Sequence, residues 1–122
     1  ARATLEAIAL SCQDPVQAIE KDSGQKVLSM KVDGGAAQND CLMQTQSDLL
    51  NAEIVRPTQL ETTALGAACL AGLGAGLFTD LDDIRKRWKT DKVFTADPSQ
   101  SYTASLRSQW DEAVRCTRSF GS

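Results

Sequence analysis

The feature that most constrains this chain is the run from Val27 to Asp40, in which an apolar segment leads into two adjacent glycines. The order of residues predicts a β-strand over 26–32, a turn at Gly34-Gly35 and a helix over 37–50. Backbone at such a turn can approach a ligand closely, because glycine has no side chain and tolerates positive φ. Amides at the start of the following helix favour an anion or a polar ring edge. The pattern indicates a nucleotide site, although many α/β proteins place Gly-Gly after a strand merely to turn the chain.

The rest of the chain alternates helical and strand patterns. A helix is predicted over 3–21, where Pro15 indicates either a kink or an end near Gln13 with a restart capped by Asp14. The further predicted elements, in order, are a strand over 53–55, a helix over 61–76, a helix over 80–88 capped by Asp80, an edge strand over 93–94 and a helix over 103–117. This alternation predicts an α/β fold with parallel neighbouring strands, and 122 residues allow one domain at most.

The first two helices are expected to supply much of the core. Their predicted inward residues are Leu5, Ile8, Ala9, Cys12, Val16 and Ile19, followed by Cys41, Leu42, Thr45, Leu49 and Leu50. The opposite face of the first helix carries Glu6, Gln13, Gln17 and Lys21. Three of the four cysteines, Cys12, Cys41 and Cys69, fall on apolar stripes, so we expect reduced thiols in the core rather than two disulfides.

Composition argues against several classes of function. The formal charge of −3 is a poor match to nucleic acid, which favours a basic face. No apolar run approaches the roughly 18–20 residues that span a bilayer. The chain has no histidine, which excludes Ser-His or Cys-His nucleophilic catalysis within it, and it has no Cys-x-x-Cys pair. We therefore expect no nucleic-acid partner, no membrane span and no metal site in this chain.

Four segments of the chain carry a specific pattern in order and spacing. They are Val32-Asp33-Gly34-Gly35-Ala36-Ala37-Gln38-Asn39-Asp40-Cys41-Leu42-Met43-Gln44, Gln46-Ser47-Asp48-Leu49-Leu50, Val55-Arg56-Pro57 and Glu61-Thr62-Thr63-Ala64-Leu65-Gly66-Ala67-Ala68. Together they resemble the carboxy-terminal domain of the FGGY family of carbohydrate kinases. The Asp-Gly-Gly turn and the Ala-Leu-Gly-Ala-Ala helix are shared by sugar kinases. Segment 42–50 and the opening Arg-Ala-Thr-Leu-Glu point to the glycerol branch. The resemblance runs from about residue 2 to about Val114, and it implies that 1–122 is a fragment whose amino-terminal domain lies upstream.

The resemblance implies part of an actin-like, ribonuclease H-like ATPase domain, as in hexokinase and Hsp70. It implies transfer of the γ-phosphoryl of ATP to glycerol, with Mg²⁺, giving glycerol 3-phosphate and ADP. The catalytic aspartate, the glycerol-binding residues and most Mg²⁺ ligands are expected upstream, so this fragment alone is predicted to be inactive. A cytoplasmic, homo-oligomeric full-length enzyme is also implied. The alternatives are another FGGY sugar or polyol kinase and a non-catalytic nucleotide-binding module.

The resemblance assigns nucleotide binding to Gly34, Gly35 and Asn39. A side chain at Gly35 would push into the nucleotide. The amide of Asn39 can both donate to and accept from the edge of adenine, while Asn alone is a frequent helix cap. For Asp33 we favour capping of the turn through backbone amides over a position near the ribose.

The helix over 61–76 resembles the connecting helix at the interdomain hinge of actin-like folds. The residues assigned to this hinge are Ala64, Gly66, Ala67 and Ala68. Domain closure over ATP and substrate would pivot near them, through packing that slides. The alternative is ordinary close packing against another helix.

Two tryptophans and a basic run complete the candidate residues. Trp88 and Trp110 are expected to anchor the core or an interface rather than to stack on a ligand. The cations Arg85, Lys86, Arg87 and Lys89 are expected to form a solvated helix face rather than a phosphate site.

Overall fold

The structure, a computed structural model, describes residues 2–99 and 101–120. Its helices are α1 (Arg2–Ser23), α2 (Asp40–Leu50), α3 (Thr62–Gly74), α4 (Leu81–Arg85) and α5 (Tyr102–Ser119), with a short 3-10 helix at Gly35–Gln38. Its strands are β1 (Ser29–Lys31), β2 (Glu53–Pro57) and β3 (Thr90–Phe94). Each predicted element is present in the predicted order, which confirms the α/β alternation. Among the described helices, none is long and apolar enough to cross a bilayer.

The three strands form one sheet in the order β1-β2-β3. Met30 of β1 pairs with Ile54 of β2 in parallel, as predicted, whereas Phe94 of β3 pairs with Ile54 in the antiparallel direction. The prediction of parallel neighbours is therefore wrong for β3. The segment with α3 and α4 leaves the sheet after β2 and returns to it beside the end of β2. The Thr58 amide there donates to the Lys89 carbonyl at 3.0 Å. The chain must then run back along β2.

The core lies where α1 and α2 meet the sheet. Its fully buried apolar residues are Ala9, Leu10, Ala37, Leu42, Met43, Leu49, Ile54 and Phe94. The side chain of Ser47 is buried among them, and its single hydroxyl proton serves the Ala52 carbonyl at 2.7 Å or the Phe94 carbonyl at 3.2 Å. This hydroxyl satisfies backbone at the junction of α2, β2 and β3, so its burial is compensated.

Helix α1 corrects two expectations. It continues from Arg2 to Ser23 through Pro15, so an end near Gln13 with a restart is wrong. Gln13, predicted on the polar face, is only 7% exposed, because its Nε2 donates to the Leu49 carbonyl at 2.7 Å. This hydrogen bond joins α1 to the end of α2, and it offsets the free-energy cost of burying a polar side chain.

The apolar stripe predicted for α1 is only partly covered. Ala9 is buried and Leu5 packs against the core, but Ile8 and Ile19 are exposed. With Cys12 and Val16, both isoleucines line an open groove of about 420 Å³ beside Met30 and Val32. The 3.6-residue period identified an apolar face correctly, but no described element covers this groove.

The cysteines depart from expectation at one position. Cys41 is exposed, so its assignment to the core is wrong, while Cys12 and Cys69 are half-buried. The reason is local: α2 begins at Asp40 instead of residue 37, and its buried face carries Leu42, Met43, Gln46, Ser47 and Leu49. The structure shows the four cysteines as free thiols.

Helix α5 is fastened to α1 by polar contacts around Asp14. Its carboxylate accepts hydrogen bonds from Arg107 Nη1 at 2.6 Å and from Trp110 Nε1 at 3.0 Å. Partial burial raises the pKa of Asp14, but the hydrogen bonds from Trp110 and Arg107 outweigh it and leave that pKa below its usual value. Trp110 also packs against the core, which confirms its role as an anchor.

The region of α4 is shorter than predicted. Asp80 caps the helix as expected, accepting from the amides of Asp82 and Asp83 at 2.9 Å each. The helix ends at Arg85, so the other cations of the basic run lie beyond it. Trp88 is an exposed side chain with the Lys31 ammonium 4.6 Å from its ring centre. Trp88 therefore does not anchor the core of this chain, and its alternative role as an interface anchor stays a prediction.

Candidate nucleotide-binding turn

The glycine turn is held by backbone hydrogen bonds on both sides. Val32 donates to the Val55 carbonyl at 3.1 Å, and Gly34 donates to the Leu60 carbonyl at 2.9 Å. Gly34 has φ 79° and ψ 171°, a backbone region open essentially to glycine alone. Its carbonyl accepts from the Ala37 amide at 3.1 Å, which starts the 3-10 helix. The turn therefore needs glycine at position 34 for its conformation.

Gly35 is required by neither backbone conformation nor contacts within this chain. Its φ is not positive, and a Cβ built on it would meet no atom within 4 Å. A Cβ at Gly34 would also point into open space. The turn thus presents bare backbone at an accessible surface, which is the geometry required for close approach of a ligand.

Asn39 caps helix α2. Its Oδ1 accepts from the Leu42 amide at 3.1 Å, and its own amide donates to the Ala36 carbonyl at 3.1 Å. The capping alternative for this residue is confirmed, and contact with a nucleotide stays a prediction. The side chain is exposed, and because the cap engages its oxygen, its NH₂ group is the natural donor to a ligand.

Asp33 connects the turn to α3. Its carboxylate accepts a hydrogen bond from the hydroxyl of Thr62, the first residue of α3. The expected capping of the turn's own amides is replaced by this link between two elements. Together with the bond from Gly34 to Leu60, it joins the turn to the start of α3 at two points.

Arg56 is the residue that sequence reasoning missed. Its Nη1 donates to the Ala37 carbonyl at 2.9 Å and to Asp40 Oδ1 at 2.7 Å, and its Nε donates to Asp91 Oδ2 at 2.8 Å. Lys92 also donates to Asp40, at 2.6 Å. The hydrogen bonds from Lys92 and Arg56 hold the pKa of Asp40 below its usual value. The sequence feature that could have indicated this role is the position of Arg56 near the end of a short strand, directly before Pro57.

The four residues assigned to the hinge are exposed. These are Ala64, Gly66, Ala67 and Ala68, and a Cβ on Gly66 would meet nothing within 4 Å. Because these positions are exposed in the described part of the chain, both the hinge and the alternative of close packing against another helix stay predictions. Gly72 is the glycine of α3 that is buried, since a Cβ there would lie 2.7 Å from the ring of Phe78. Beside the exposed face, Leu65, Phe78 and Trp88 border a groove of about 450 Å³.

Within residues 2–99 and 101–120, no three His, Cys, Asp or Glu side chains are grouped so that they could hold a metal ion. The chemistry of this region is that of backbone amides, one exposed side-chain amide and a partly buried guanidinium. Such groups bind and orient a ligand.

Comparison with known proteins shows the class to which this α/β fold and its accessible glycine turn belong. The chain belongs to the FGGY family of carbohydrate kinases, whose C-terminal domain matches residues 1–75. It is 49% identical over 119 residues to a glycerol kinase of Pediococcus pentosaceus, covering 98% of this chain and 24% of that protein. It is 45% identical over 115 residues to glycerol kinase 2 of Sulfolobus acidocaldarius, covering 94% of the chain and 23% of the relative. The chain thus spans about a quarter of the length of these curated relatives.

Solved structures agree with the family assignment. A crystal structure of Plasmodium falciparum glycerol kinase with ADP matches with a TM-score of 0.78 and 34% identity, covering 95% of this chain and 23% of that one. A gluconate kinase from Lactobacillus acidophilus matches with a TM-score of 0.79 and 25% identity, covering 94% and 23%. The expectation of an actin-like, ribonuclease H-like ATPase fold is confirmed.

Proposed function

We propose that residues 1–122 form the carboxy-terminal, nucleotide-binding part of an ATP-dependent glycerol kinase. The complete enzyme would transfer the γ-phosphoryl of ATP to a terminal hydroxyl of glycerol, giving glycerol 3-phosphate. The observation that carries this proposal is 45–49% identity to glycerol kinases across 94–98% of the chain. Identity to the gluconate kinase structure is lower, at 25%, which favours glycerol over a sister substrate.

In this proposal the glycine turn lies against the adenosine of ATP. Gly34 sets the turn conformation, and the open space at Gly35 admits the ligand to bare backbone. Asn39 donates its NH₂ group to the base while its oxygen caps α2. Mg²⁺ and the catalytic aspartate belong to the rest of the enzyme, where the metal would neutralise charge on the phosphates.

The exposed small-residue face of α3 is proposed as the hinge contact with the rest of the kinase. Gly66 and its alanine neighbours leave room for another element to lie close and slide during closure. The hydrogen bonds that join the start of α3 to the glycine turn would pass that movement to the nucleotide.

Cytoplasmic location and homo-oligomeric assembly are part of the same proposal. Four free thiols suit a reducing compartment. Fractionation and the native mass of the complete polypeptide would test these two points. A disulfide-bonded or monomeric enzyme would contradict them.

The test of the function is ADP release by the complete polypeptide with ATP and Mg²⁺, offered glycerol, xylulose, ribulose or gluconate in separate reactions. Turnover with glycerol alone is expected. Turnover with a different polyol would move the chain to another kinase of the family. Absence of turnover with every acceptor, in a protein that still binds ATP, would favour a non-catalytic nucleotide-binding module.

A further inference from the structure

We infer that Arg56 is a positioning residue for nucleotide binding, which fixes the backbone on both sides of Asn39. The inference rests on the proposed contact between the turn and ATP. Arg56 would not touch the nucleotide itself. It would act by holding the 3-10 helix and the first residue of α2 in one arrangement.

The contacts of Arg56 bracket Asn39 in the sequence. On the amino-terminal side, Nη1 lies 2.9 Å from the Ala37 carbonyl and 3.4 Å from the Gln38 carbonyl. On the carboxy-terminal side, the same nitrogen lies 2.7 Å from the Asp40 carboxylate. One guanidinium group therefore ties Ala37, Gln38 and Asp40, which flank the candidate nucleotide residue, to strand β2.

The guanidinium is itself held firmly. Its Nε donates to Asp91 Oδ2 at 2.8 Å, and its Cζ lies 5.3 Å from the centre of the Phe94 ring. The side chain is only 12% exposed, although Asp40 and Asp91 are about half exposed. A planar group with donors on separate nitrogens can bond Asp91 and the segment around Asn39 together, whereas a lysine ammonium carries its donors on one nitrogen and cannot span both in the same geometry.

The contacts also supply charge where the 3-10 helix ends. Carbonyls at the end of a helix carry partial negative charge, and a cation there is stabilising. The Asp40 carboxylate adds a full negative charge at the same point, and Lys92 shares it. Without Arg56, the Ala37 carbonyl would lose its bond to the guanidinium and Asp40 would keep only Lys92 of its two cations, so the segment carrying Asn39 would sample other conformations. Its NH₂ group would then be misdirected for part of the time.

The inference is tested in the complete polypeptide with Arg56→Met and Arg56→Lys. The matched control is Arg107→Met, because Arg107 also bonds two carboxylates, Asp14 and Asp111, but between α1 and α5. The readouts are the Kd of ADP by calorimetry, the KM of ATP, the KM of glycerol and the thermal unfolding midpoint. Arg56→Met is expected to raise the Kd of ADP by about tenfold, the factor equivalent to one charge-assisted hydrogen bond, with a smaller rise for Arg56→Lys.

The KM of glycerol should stay unchanged in both Arg56 variants, and Arg107→Met should leave the Kd of ADP unchanged while lowering the unfolding midpoint. Unaltered ADP affinity in folded Arg56 variants would overturn the inference. So would an equal loss of ADP and glycerol affinity, which would signify general destabilisation. If Arg56→Met does not fold, Arg56→Lys decides by the same criteria.

Gly35→Val separates this inference from the function on which it rests. If Gly35→Val weakens ADP binding while the Arg56 variants do not, only the positioning role of Arg56 fails. If Gly35→Val also leaves ADP binding unchanged, the nucleotide role of the turn fails with it.

Discussion

The carboxylate of Asp33 accepts a hydrogen bond from the hydroxyl of Thr62, so the glycine turn is joined directly to the first residue of α3. A second bond, from the Gly34 amide to the Leu60 carbonyl, reinforces the connection at 2.9 Å. A movement of α3 would therefore displace the turn. In a kinase whose domains close over ATP, these two bonds would couple hinge movement to nucleotide binding.

Thr62→Val tests this coupling, because it removes the hydroxyl and keeps the shape. We expect the kcat of the complete enzyme to fall by roughly threefold, since the bond lies at the surface where water competes for it. Thr63→Val, at the next and exposed position of α3, is the matched control and should leave kcat unchanged. Steady-state kinetics at saturating ATP and glycerol measure the difference. Equal kcat values for the two variants would contradict the coupling.

The two glycines of the turn should respond differently to alanine. Gly34→Ala places a Cβ on a backbone with φ 79° and should lower the free energy of unfolding by about 1–3 kcal/mol. Gly35→Ala has neither positive φ nor a close neighbour, so its unfolding free energy should stay near that of the parent protein. Urea denaturation of both variants gives the comparison. A Gly34→Ala protein as stable as Gly35→Ala would show that the turn relaxes easily.

Helix α3 offers a similar pair. Gly72→Ala would bring a Cβ to 2.7 Å from the Phe78 ring, so we expect a loss of stability of about 1 kcal/mol as the ring moves aside. Gly66→Ala meets no atom of this chain and should stabilise the isolated helix slightly, because alanine favours helix. In the complete enzyme, however, Gly66→Ala should reduce kcat if another element slides over this face.

Thermal unfolding and turnover, measured on the same preparations, separate the two effects. A Gly66→Ala enzyme with unchanged kcat would remove the hinge assignment of this face. A Gly72→Ala protein with unchanged stability would mean that Phe78 moves without cost.

The stability that Asp14 contributes by joining α1 to α5 should depend on pH. The pKa of Asp14 is lowered in the folded protein, so its ionised form adds stability above the unfolded pKa of about 3.9. That contribution disappears as the pH falls through the lower, folded pKa. The stability lost by Asp14→Asn should therefore be largest near neutral pH and should shrink below about pH 4.

Urea denaturation of the parent protein and the variant, at intervals of about one pH unit between pH 3 and pH 7, would give this difference in stability. Asp22→Asn, at an exposed position of the same helix, is the control for the loss of one surface charge. A difference for Asp14→Asn that stays constant with pH would contradict the role of its ionised form.

Local patterns predicted the order of the elements well. Hydrophobic period and glycine placement are properties of neighbouring residues, so they located the helices, the strands and the turn. The predicted ends of elements were less accurate where two adjacent helical elements have similar residues. The predicted helix over 37–50 merges two elements, because the Asn39 cap separates a 3-10 helix from α2.

Long-range contacts explain the remaining differences. The burial of Gln13 depends on the Leu49 carbonyl, and the contacts of Arg56 join residues 16 to 35 positions apart. No local period encodes such pairs. The exposure of Ile8 and Ile19 has a different cause: periodicity finds an apolar face but does not tell what covers it. The site residues themselves came from the family resemblance, and their roles stay predictions.

The most direct measurement is the affinity of the complete polypeptide for ATP before and after Gly35→Val, by calorimetry, with glycerol binding measured on the same samples. A Cβ at this position meets no atom of this chain within 4 Å, so the fold should be retained and a loss of affinity reports on the ligand. We predict that ATP binding weakens by at least about tenfold while glycerol binding stays unchanged. Unchanged ATP affinity in the folded variant would contradict a nucleotide site at this turn.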